Sequence, residues 1–149
     1  MNKSNDDKDL DAMIVEAIQN KANSLPGMDK TGVLIQVVTD PFAREDGGIV
    51  STEAYSLETG ERIDNPPEFP GYLTRTITMT VQEKVPLSSI DQSFGTVSRV
   101  VEFMTIKVSM LGVKKAKDAY VCLKAAIWGV QKYYRVTNQN NIFIKDPEY

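Results

Sequence analysis

The stretch YLTRTITMTVQEKV, residues 72–85, alternates between two kinds of side chain. Leu73, Ile77, Met79 and Val81 fall on one side, and Thr74, Thr76, Thr78, Thr80 and Gln82 on the other. Successive residues of a strand point to opposite faces, so the stretch reads as a strand with one dry side and one wet side. Such a strand belongs to a sheet that is covered on one face only. Whatever else the chain contains must supply that single cover.

VVEFMTIKVSML (100–111) alternates in the same way and places Met104, Ile106, Val108 and Met110 together. GVLIQVVTD (32–40) is a β-branched run bounded by Gly32 and Asp40-Pro41, a strand buried on at least one face. The cover comes from two helical patterns. From Asp9, apolar residues recur as Leu10, Met13, Ile14, Ala17, Ile18 and Leu25, a three-and-four spacing that predicts a helix over 9–25. Asp7 or Asp9 is placed to cap it, and Pro26-Gly27 to stop it. The second helix is predicted over 114–134, with Ala119, Leu123, Ala126, Ile127, Val130 and Tyr134 as its buried stripe. NQNN (138–141) reads as a turn and IFIK (142–145) as a last short strand, while 86–98 is a polar connection with room for one helical turn. Residues 1–8 are polar and expected to fray. The 149 residues are therefore read as a single α+β domain: two layers, a mostly antiparallel sheet and two helices on one face.

Residues 40–71 do not fit either pattern. They are rich in proline and glycine and have little apolar periodicity, so they are read as an extended arm. Within it, IVSTEAYSL-ETG-ERI predicts a hairpin in which Gly60 supplies the positive φ of a three-residue loop. The arm's apolar residues, Phe42, Ile49, Val50, Tyr55, Leu57, Ile63 and Phe69, are too irregular for a core of their own, and a partner surface is the expected place to bury them. Asp40, Glu45, Asp46, Glu58, Glu61, Asp64 and Glu68 cluster there too, but without the one-residue ladder of a calcium loop.

Several chemistries are missing. The chain has no histidine, which removes the commonest general base and metal ligand and every histidine-based triad. With one cysteine, zinc sites built from Cys and His are excluded, as is an internal disulfide. Cys122 falls beside Leu123 in mid-helix and is read as a core thiol. SMLGVKKAKDAY (109–120) runs from strand through Gly112 into helix, yet it has neither the glycines nor the hydroxyl of a phosphate loop. Lys114, Lys115 and Lys117 crowd the positive end of the helix dipole, where each costs a few tenths of a kcal/mol unless an acidic partner surface meets them. Trp128-Gly129 inside the helix is read as core packing, since a helical glycine suits a neighbour that approaches the backbone closely. A net charge of −3 argues against general binding to nucleic acid or acidic membranes. No apolar run is long enough to cross a membrane, and the N-terminus has no apolar core of the signal-peptide kind. No enzyme activity, metal or cofactor is expected.

The strand pair YLTRTITMTVQ and RVVEFMTIKVSMLG, the helix KKAKDAYVCLKAAIWGVQKYY and the strand NNIFI, in that order, resemble the tail-terminator and neck-terminator proteins of long-tailed bacteriophages. The resemblance covers most of the chain as an order of elements and is closest over 72–145. It implies a homo-oligomeric ring, commonly of six subunits, that caps the tail tube and joins it to the head-neck connector. It also implies a place in the virion tail or neck, with assembly in the host cytoplasm, and it brings no catalytic residues. The alternatives are another head-tail joining or tail-completion protein, or a non-viral protein-binding module that uses the 40–71 arm. The residues expected to meet partners are Phe42, Tyr55, Leu57, Phe69, Lys114, Lys115 and Lys117.

Overall fold

The computed structural model of the chain describes residues 5–27, 32–39, 50–64, 75–86, 98–113, 115–139, 141–145 and 147. Its elements are α1 (Asn5–Asn23), β1 (Gly32–Thr39), β2 (Val50–Ser56), β3 (Arg62–Ile63), β4 (Arg75–Pro86), β5 (Ser98–Leu111), α2 (Ala116–Val136) and β6 (Ile142–Ile144). The six strands form one sheet in the order β3-β2-β1-β5-β4-β6, with every neighbouring pair antiparallel. Both helices lie on one face, giving the two-layer α+β fold.

The alternation in β4 has the predicted effect. Ile77, Met79 and Val81 are fully buried, whereas Thr76 is exposed and Thr78 and Thr80 are half-buried on the other face. Pairing with β5 sets Ile77 beside Val108, Met79 beside Ile106 and Val81 beside Met104, so the dry residues of both strands share one surface. Val33, Ile35 and Val37 of β1 extend it. On the opposite face Thr76 and Ser109 share a hydrogen bond of 2.8 Å between their hydroxyls.

At one place β5 departs from strict alternation. Val81 pairs with Met104 but Gln82 pairs with Glu102, so Phe103 is an extra residue, a β-bulge. Phe103 and Met104, adjacent in sequence, are both buried as a result.

The helices differ from their sequence patterns in detail. α1 begins at Asn5, four residues before the predicted start, so Asp7 and Asp9 are helical residues and not caps. Its buried face is Leu10, Ile14, Val15, Ile18 and Ala22, with Met13 only partly covered. The face is turned because α1 contacts α2 as well as the sheet. α2 buries Ala119, Cys122, Leu123, Ala125, Ala126, Gly129, Val130, Tyr133 and Tyr134, while Ile127 sits at the edge of the core. Its end is closed by Thr137, whose hydroxyl donates to the carbonyls of Tyr133 and Tyr134, and by Asn138 in the left-handed region at φ 59.

Gly129 is where the helices meet. A Cβ there would lie 2.7 Å from both the Ile14 Cα and the Met13 carbonyl oxygen. The close approach expected of this glycine is to the backbone of α1. Gly129→Ala should therefore lower stability by roughly 1–3 kcal/mol in a denaturant melt, because backbone cannot move aside as a side chain can. This loss outweighs the gain of about 1 kcal/mol in helix propensity. In the same assay Leu123→Ala should cost about 2–5 kcal/mol, and Ile127→Ala less than that.

Candidate interaction surface

Of the residues expected to meet partners, the structure keeps two inside the subunit. Residues 50–64 are not a free arm: β2 pairs with β1 along its whole length, from Gly32 beside Ser56 to Val38 beside Val50. Leu57, at 2% exposure, belongs to the core. Tyr55 shares the helix-covered face with Val33, its neighbour across the pair, and its hydroxyl donates to the Asp11 carboxylate of α1 at 2.7 Å. The predicted hairpin is present, with Gly60 at φ 77 and Ala54 beside Ile63. Its loop leans on α1, where the Gln19 amide donates to the Leu57 carbonyl. Phe42, Phe69 and Lys114 lie outside the described residues.

Asp11 was invisible to pattern reading, which gives a charged residue next to an apolar stripe to solvent. It is only 2% exposed. Burial, reinforced by the hydrogen bond to Asp11, pushes the Tyr55 phenol far above its ordinary value of 10.0. Arg75 is another long polar side chain on the helix-covered face, next to Met110, and its guanidinium carbon lies 5.6 Å from the centre of the Tyr120 ring of α2. Cys122 is fully buried and desolvation pushes its thiol up to about 11, which suits a core residue and not a nucleophile. Among the described residues no group of three carboxylates or thiols gathers where it could hold a metal ion, and no helix is long and apolar enough to cross a membrane.

Among the described residues Val100, Trp128, Val136 and Phe143 are the large apolar side chains that stand exposed, and two surfaces hold three of them. The first is a two-stranded ribbon. Beyond the bulge, Glu83–Pro86 of β4 pair with Ser98–Val101 of β5, and the last pair of β1 with β5 among the described residues is Thr39 beside Met104. On the outer side β6 reaches only to Glu83, supplemented by Asn141, whose carbonyl accepts from the Lys84 amide. Ser98, Arg99 and Val100 are exposed, Val100 at 56%. Phe143 of β6, which pairs with Gln82 of β4, is an exposed ring nearby.

The second surface lies on the outer side of the helix layer. Lys117, Val121, Lys124, Trp128, Lys132 and Arg135 follow one another at three- and four-residue steps along α2. Lys117 and Lys115, predicted to face a partner, are exposed at the start of this stripe. The α2 N-terminus has no side-chain cap, and Asp118 is the acid of its first turn. Trp128 is 66% exposed, so its reading as core packing is corrected: Gly129 packs, and the indole does not. Beside it a shallow groove of about 370 Å³ runs between the helices, lined by Ala17, Asn20, Lys21, Trp128, Lys132 and Arg135. A second hollow, about 360 Å³, lies on the other flank of Trp128 near Lys21 and Lys124. The step pattern of lysines on either side of the single tryptophan was readable in the sequence.

No family model, curated protein or solved structure matches this chain.

The Tyr55–Asp11 contact sets two expectations. Tyr55→Phe should destabilise the subunit by about 1–3 kcal/mol, since it leaves a buried carboxylate short of a donor. A phenol whose folded pKa is raised contributes stability that is complete below the unfolded value of 10.0 and falls as pH rises beyond it. Stability measured by melting should thus decline above about pH 10, and more shallowly in Tyr55→Phe.

Proposed function

We propose that this chain is a structural assembly subunit of a virion, a tail terminator whose copies form a ring, commonly of six, capping the tail tube and joining it to the head-neck connector. The observation that carries the reading is the ribbon of β4 and β5. A two-stranded ribbon is marginal in water unless something packs on it. Here Val100 lies in solvent and Val85 and Val101 are only half-buried. Among the described residues Val85, Pro86 and Ser98–Val101 have no strand partner outside the ribbon, β6 and Asn141 reaching only Glu83 and Lys84, and the reading takes a neighbouring subunit or an adjacent virion protein as its cover. The order of elements supports the same reading: helix, strand, hairpin, long strand pair, helix and short strand follow the arrangement of the terminators that the sequence resembles. In this reading the chain performs no catalytic step and holds no metal or cofactor. Its place is the tail or neck of the particle, reached from the host cytoplasm.

Imaging of the assembled particle tests the proposal directly. A ring of this chain is expected at the head-proximal end of the tail tube, with residues 83–86 and 98–101 against another chain. A particle that lacks the chain, or a ribbon left in solvent there, overturns the reading. Val100→Glu should leave subunit stability within about 0.5 kcal/mol of the parent, as for other exposed positions, yet abolish incorporation into particles.

A further inference from the structure

Charge is divided unevenly along this chain. Residues 40–71 carry eight carboxylates against two arginines, while α2 carries four cations against Asp118. In the hairpin between β2 and β3, Arg62 already pairs with Asp64 and Glu53. Glu58 and Glu61, on either side of Gly60, are exposed and have no cation paired with them among the described residues. On the helix layer the reverse holds: Lys21, Lys124, Lys132 and Arg135 surround the exposed Trp128, and no carboxylate among the described residues pairs with any of them. Four cations around an indole, without a carboxylate partner among the described residues, in a chain of net charge −3, form a surface suited to meet an acidic one. The hairpin cannot reach the groove of its own subunit. Its loop is fixed on the far side of α1, where a Cβ on Gly60 would come within 2.9 Å of the Gln19 amide.

We propose that the groove beside Trp128 binds the acidic β2–β3 hairpin of a second copy of this chain. The hairpin brings Glu58 and Glu61 to the lysines while its backbone covers the indole. The contact joins two different surfaces, so it repeats from copy to copy and generates a ring or an open chain rather than a closed pair. The inference rests on the assembly reading above and names the surfaces that the assembly would use.

Paired charge reversals in the full-length protein test it. The parent chain should sediment as concentration-dependent oligomers at low ionic strength that dissociate as salt is added. Association should also move Trp128 emission to shorter wavelength as the indole leaves water. K124E/K132E and E58K/E61K should each sediment as single subunits, with unchanged circular dichroism because all four positions are exposed. An equimolar mixture should associate again, since each variant then offers the charge the other lacks. A parent that remains a single subunit at every concentration overturns the proposal, as does a mixture that fails to associate. Saturable binding of a single-stranded oligonucleotide at Trp128 without self-association overturns it as well, and assigns the groove to nucleic acid. Parent-like association of both variants refutes this docking while leaving the assembly reading intact, because that reading stands or falls on the particle.

Discussion

The contact between α1 and α2 at Gly129 is the constraint from which the rest of the subunit follows. Only a residue without a side chain lets the α1 backbone come so near at Ile14 and Met13. That closeness lets two helices fit side by side over one face of the sheet. Leu10, Ile14 and Ile18 then reach the sheet from one helix, and Leu123, Ala126 and Val130 from the other. The tight crossing also pushes Trp128, next in sequence, outward: a helix that buries residue 129 against its neighbour turns residue 128 about 100° away.

Much of this was legible in the sequence. The one-sided strand 72–85 foretold a single covering layer, and β-branching and alternation located β1 and β5 to within a few residues. These signals work because the residue period of a strand and the half-wet environment of a one-sided sheet are both local in the chain. The errors have non-local causes. Residues 50–64 looked like arm because SerThrGluAlaTyrSer has few large apolar groups, yet pairing to β1 provides a backbone ladder that no pattern of side chains announces. Leu57 was assigned to a partner because its own segment has no core, but it uses the core of the whole subunit.

The surface was less legible than the fold. Asp11 and Tyr55 lie 44 residues apart, and only the sheet brings the hydroxyl to the carboxylate. In the sequence Trp128-Gly129 reads as core packing because a helical glycine suits a neighbour that approaches the backbone closely. Deciding which of the two faces inward required the position of α1. Lys117 was picked out for its cost at a helix start, and the structure gives it a different setting, as the first residue of a cationic stripe that continues to Arg135.

The bulge at Phe103 gives this architecture an adjustable part. Pairing on both sides of it follows the same alternation along β4, so the extra residue changes the local twist of β5 without disturbing the register of either half. The angle at which the ribbon departs is thus controlled separately from the pairing that holds the sheet together. A lineage that gained or lost one residue here could point the ribbon in a new direction while keeping every other strand partner. Shape at the periphery can drift by single insertions and deletions, and the core beneath need not be redesigned to follow.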